Sequence, residues 1–164
     1  MQLMKTEVIM SEVDGSRVEE AKDTENSNGG TSWVQSFFRW LLGAVLLLAG
    51  IGHLTWARTE FLAQVPQWVP LERDLVVVLS GLVEIALGAG LIALPKQRAI
   101  MGWITAVFFV VIFPGNISQY VNHVDAFGLD SDLERGIRLL FQPLLVIWAL
   151  WSTGAWRAWR ESKK

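Results

Sequence analysis

Six polar side chains interrupt otherwise apolar stretches of this sequence: Glu84, His53, Asn116, Gln142, Arg138 and Ser80. A carboxylate and an imidazole can exchange a proton near neutral pH. Two amides and a hydroxyl can hydrogen-bond a carbonyl or hydroxyl oxygen. A guanidinium can pair with the carboxylate or with an external anion. The chemistry within reach is therefore proton exchange and hydrogen bonding to a small polar-headed molecule. Thiol chemistry is excluded because the chain has no cysteine, which also removes disulfides and cysteine-ligated metals. His53 and His123 are the only histidines. A zinc site would need carboxylates from distant segments, and a haem would lack a second axial histidine in the membrane. No metal site is expected. There is no phosphate-binding glycine loop, nucleophile elbow or HExxH-type pair.

The elements that must carry these residues are long and apolar. Glu84 lies in the middle of Leu75–Leu94, LVVVLSGLVEIALGAGLIAL, a stretch that Pro95 closes. A helix needs about 20 apolar residues to cross a bilayer. Ser80, Glu84 and Gly88 are spaced by four, with Gly81 beside them, and form one polar and small stripe on an aliphatic helix. A first span is predicted over residues 33–56, with Trp near both ends. Its Gly43, Gly50 and His53 share a stripe on which another helix could approach closely. A third span is predicted over 99–120, where Pro114, Gly115 and Asn116 make a kink plausible. A fourth, over 135–155, carries Arg138, Gln142 and Pro143 early. Residues 57–74 connect the first two spans. Pro66 and Pro70 forbid one continuous helix there, and the apolar residues around them suggest a segment on the interface, able to act as a lid.

Composition agrees with this class. The chain is 52% hydrophobic and only 18% charged, below the quarter usual in soluble domains. Nine Trp against one Tyr favour membrane interfaces. Residues 1–32 hold seven acidic and three basic residues with no apolar periodicity, and read as a disordered acidic tail without a signal-peptide core. Residues 157–164 read as a basic tail. No basic patch points to nucleic acid. The expected fold is all-α: one membrane domain, residues 33–156, made of a four-transmembrane-helix bundle.

Seven basic residues (Arg39, Lys96, Arg98, Arg157, Arg160, Lys163, Lys164) flank one side of the spans and four (Arg58, Arg73, Arg135, Arg138) the other. The positive-inside rule then puts both termini in the cytoplasm. Arg58, Arg73 and Arg135 read as solvated interfacial charges. With this topology all six polar residues fall in the outer half of the bundle, Glu84 near the midplane, and the cytoplasmic half of each helix is apolar. The expectation is a polar pocket open outward and floored near Glu84. A charge at the midplane costs about 2.5–3.5 kcal/mol on insertion scales. Glu84 can reduce that by protonation or by pairing, with Arg138 and His53 as the partners to expect. Two readings stand: a functional site, or a network that only locks the helices in register. Interhelical polar contacts average ~0.6 kcal/mol, which is weak glue for so costly a residue.

The ordered set GIGHL (50–54), FLAQVPQWVP, SGLVEIALGAGLI, PKQR, FPGNI and RLLFQPLLVIWALW resembles the DoxX and DoxX-like family of small four-helix membrane proteins. It differs in Leu54 after the histidine, in Gly115 within Pro-Gly-Asn, and in lacking a further loop proline. The resemblance implies a multi-pass protein of the inner or plasma membrane with redox-associated, quinone-linked work. A quinone is the cofactor it suggests. Family roles in thiol transfer use cysteines, which are missing here. The alternative is a non-enzymatic membrane partner, an assembly or stress factor for another membrane or redox protein. A small permease is a third and weaker option, since no internal repeat suggests inverted halves.

Overall fold

The structure, a computed structural model, describes residues 31–128 and 131–163. The acidic tail expected over residues 1–32 lies outside the described residues, except for Thr31 and Ser32. Ser32 belongs to the first helix. Its hydroxyl accepts the Gln35 N–H (3.2 Å), and the Gln35 side chain accepts the Ser32 N–H (3.0 Å). This reciprocal capping box satisfies two donors that a helix start leaves open.

The described residues are helical, with no strand among them. The helices are α1 (Trp33–Leu54), α2 (Arg58–Gln64), α3 (Arg73–Ala93), α4 (Arg98–Val121), α5 (Asp132–Ser152) and α6 (Ala155–Glu161), with a short 3-10 turn at Pro95–Gln97. Three helical segments, α1, α3 and α4 with its preceding turn, are long and apolar enough to cross a membrane. A fourth is reached only if α5 is counted together with α6, which bends away from it by 60°. The reason is local: α5 starts with Asp132, Glu134, Arg135 and Arg138, charges that dilute its apolar run. Helix α2 fills part of the proline-bearing connection, ending before Pro66. Helix α4 runs unbroken through Pro114, and α5 through Pro143.

The tightest packings are α1 against α3 and α4 against α5. Small residues permit the first. A Cβ placed on Gly50 would lie 2.6 Å from the Gly81 carbonyl oxygen, and one on Gly88 would lie 2.6 Å from that of Gly43. The two glycine stripes read from the sequence therefore meet each other, and the backbones touch where any side chain would separate them. Leu42, Leu46, Leu87, Leu91, Ala106, Phe109 and Ala149 form the buried core. Large apolar residues such as Leu48, Val111, Leu140 and Ile147 are more than 55% exposed, so the apolar surface faces outward as well as inward.

One expectation is corrected. The half of the helices where α1 begins and α5 ends, expected to be apolar, is not purely so: Gln35, Arg39, Thr105, Ser152 and Thr153 are buried there. Arg39, expected as a flanking interfacial charge, is 4% exposed and donates through Nη1 to the Leu91 carbonyl oxygen (2.7 Å). Leu91 is in the last turn of α3, where carbonyls lack helical partners and the helix end attracts a cation. Gln35 reaches the Trp151 carbonyl oxygen (2.8 Å) in the same way at the end of α5.

Candidate functional site

At the opposite end, which carries α2 and the connection between α4 and α5, the helices part around a cavity of about 460 Å³. This lies within the range of small-molecule pockets, roughly 300–1,000 Å³. Glu84, His53, Asn116, Gln142, Arg138 and Ser80 all line it. Most of the remaining wall is apolar, supplied by all four long helices and by α2 with the Pro66 segment after it.

The floor is an imidazole and a carboxylate from the two helices that glycine brings together. A Cβ on Gly81 would lie 2.7 Å from His53 Cβ, so the α1–α3 contact sets the distance between the two ring and carboxyl groups. His53 Nδ1 lies 3.0 Å from Glu84 Oε2 and 2.9 Å from the Ala49 carbonyl oxygen, one turn back on its own helix. A carbonyl can only accept, so Nδ1 carries hydrogen. That hydrogen is aligned on Ala49, and Glu84 Oε2, although within ion-pair distance, has no well-directed donor among the described residues. Both residues are 6% exposed. A buried acceptor left this way costs about 1–3 kcal/mol until something donates to it.

The amides form a second polar group. Asn116 Nδ2 donates to Gln142 Oε1 (2.9 Å), and Gln142 Nε2 donates to the Phe109 carbonyl oxygen (2.6 Å). Both bonds join α4 to α5. Pro114 has no N–H to return to Val110, one residue from the carbonyl that Gln142 engages. Ser80 lies on the cavity wall one turn from Glu84.

Arg138, expected as a partner for Glu84, does not take that place. Its guanidinium lies over the Phe127 ring, 4.9 Å from the centroid, and His53 is the group beside Glu84. Arg135, expected in solvent, is 6% exposed and pairs with Asp125 (2.6 Å) and Asp132 (2.8 Å).

The cover includes part of the 57–74 connection expected as a lid segment, together with Phe127 and Gln119, which sequence reasoning did not single out. Phe61 of α2 stacks on the His53 ring (centroids 3.3 Å, planes 15° apart) and meets Phe127 edge-on (4.7 Å). Glu60 accepts the Phe127 backbone N–H. Phe127 holds a left-handed φ of 58°, a conformation that a bulky residue rarely adopts. Gln64 donates to Gln119 Oε1 (3.2 Å), and Gln119, 2% exposed, donates to the Val124 carbonyl oxygen (3.3 Å). Arg58 pairs with Asp74, whose carboxylate holds the guanidinium above its ordinary range. The apolar character of FLAQVPQWV was the only sequence signal for this cover. Nothing in the spacing reveals that Phe61 reaches His53.

Residues 42–153, about two thirds of the chain, match the model of a family described as a domain of unknown function, DUF8561. The chain belongs to the DUF8561 family. The matched segment of this DUF8561 protein contains all six cavity residues named above and stops at Thr153, before α6. No curated protein and no solved structure matches the chain.

Proposed function

We propose that this DUF8561 protein is a four-helix integral membrane protein, DoxX-like in kind, with both termini cytoplasmic. Its outward half then holds a small membrane-soluble amphiphile of the quinone or quinol class. One observation carries the reading: the buried Glu84 Oε2, without a directed donor among the described residues, faces His53 in a largely apolar cavity. A quinol hydroxyl would donate to Glu84, and Asn116 or His53 would hydrogen-bond an oxygen of the ring. The ring itself matches the apolar walls. The motif resemblance to DoxX-like proteins supports the same class of ligand, and the exposed aliphatic surface of the long helices supports the membrane setting.

The test is quinone retention and quinol affinity of the purified protein, with Glu84→Gln beside it. A charge-assisted hydrogen bond is worth about 1.5–3 kcal/mol, so affinity should fall by about 10–100-fold. Unchanged affinity in Glu84→Gln, or no binding by the unaltered protein, sinks the proposal. Recovery of the protein from the soluble fraction would sink the membrane setting separately.

A further inference from the structure

We propose that α6 is a docking element for anionic phospholipid headgroups at the end of the helices where α1 begins and α5 ends. The chain turns there by design of its sequence. Thr153 closes α5 by donating to the Ala149 carbonyl oxygen (2.7 Å), and Gly154 takes a left-handed φ of 69° that L side chains disfavour. Helix α6 therefore leaves the direction of α5 at 60°. Its seven residues span about 10 Å, far too short to cross a bilayer.

Its two sides differ. Ala155 is fully buried, Arg157 donates to Gln35 Oε1 on α1 (3.2 Å), and Trp159 meets Trp103 of α4 edge-on (6.5 Å), so α6 is fastened to the spanning helices. Trp156, Trp159 and Arg160 follow at i, i+3 and i+4 and share one face of α6, and Lys163 lies in the turn just past its end. The two indoles lie 5.5 Å apart and are 48% and 41% exposed. Arg160 lies over Trp156 (5.9 Å) and Lys163 over Trp159 (4.1 Å). Neither cation pairs with a carboxylate among the described residues. Lys96, Arg98 and Arg157 add charge at this end, against the single carboxylate Glu161 in residues 155–163.

Indoles beside cations on a short helix lying off the membrane normal suit the headgroup layer: the rings sit at the acyl boundary and the cations meet phosphate. An excess of cations selects anionic over zwitterionic lipid. The inference rests on the membrane setting proposed above but not on the ligand of the cavity.

The full chain in detergent would be titrated with phosphatidylglycerol and phosphatidylcholine, and bound lipid counted by native mass spectrometry. The unaltered protein should prefer phosphatidylglycerol by about tenfold or more, with the preference weakened by salt. Arg160→Gln with Lys163→Gln should abolish it while leaving helicity and quinol affinity unchanged. Arg160→Lys, which keeps the charge, should retain it. No preference in the unaltered protein, or full preference in the double variant, overturns the proposal. So does equal competition by inorganic phosphate, which would make this a free-anion site. Loss of membrane recovery, by contrast, would count against the membrane setting itself.

Discussion

Among the ionisable side chains buried in the long helices, Glu84 and Arg39 are treated differently by the molecule. Arg39 sits at the end where α1 begins, packed against the last turn of α3, with the Leu91 carbonyl oxygen on Nη1, while its Nε has no acceptor among the described residues and does not face the cavity. It fills a joint. Glu84 sits at the other end beside His53, on the wall of a cavity, with one oxygen lacking a directed donor. The first arrangement spends a charge on holding two helices, where a helix C-terminus offers carbonyls. The second leaves hydrogen-bonding capacity open on a cavity wall. Burial alone therefore does not mark a site; an unfilled acceptor facing a cavity does.

The largest effect should come from the contact that both ends depend on. Gly81→Val places atoms against His53 Cβ and the Gly50 carbonyl oxygen, and should cost about 3 kcal/mol of stability, read as thermal unfolding in detergent. If stability is kept, the α1–α3 approach does not set the His53–Glu84 distance. Arg39→Ala comes next, at about 2–3 kcal/mol, because the Leu91 carbonyl and the packed stem both lose a partner. Quinol affinity should be unaffected. Glu84→Gln should show the reverse pattern: stability changed by less than about 1 kcal/mol, ligand affinity down about 10–100-fold. Equal effects of the two variants on both readouts would erase the contrast.

Gln142→Leu removes the two α4–α5 side-chain bonds and should cost about 0.6–1.5 kcal/mol, the range seen for polar contacts between membrane helices. The smallest effect belongs to Asp74→Asn. The pair is partly exposed, with side chains 39% and 45% accessible, so unfolding should shift only slightly, and the effect should weaken in salt. A large loss there would mean that the roof over the cavity hangs on that pair.

Much of the architecture was legible. Long apolar runs ended by Trp, Pro and charge gave helices whose ends fall within two or three residues of the expected ones, since hydropathy over twenty residues leaves few alternatives. Spacing by three, four and seven placed the glycines on stripes, and those stripes meet in the structure. The six polar residues line one cavity because each lies on the inward face of its helix at a similar depth. Less legible was anything that depends on which neighbour a side chain finds. Arg39 looks like Arg98 in sequence, yet only the position of the α3 terminus makes it a buried donor. Arg138 looks like the natural partner of Glu84, yet Phe127 takes it. The α6 turn follows from one glycine with positive φ, which a basic tail does not advertise.

The sequence by itself determined the helices, their apolar faces, the absence of thiol chemistry and the residues with proton-exchanging capacity, because these follow from composition and local period. Tertiary structure decided which charge is a fastener and which remains open. That choice rests on close backbone approach at Gly50 and Gly81, on one imidazole N–H that is directed at Ala49 and not at Glu84, and on where the cavity lies. Approaches of 3 Å or less between α1 and α3 arise only when helices apart in the chain have settled against each other.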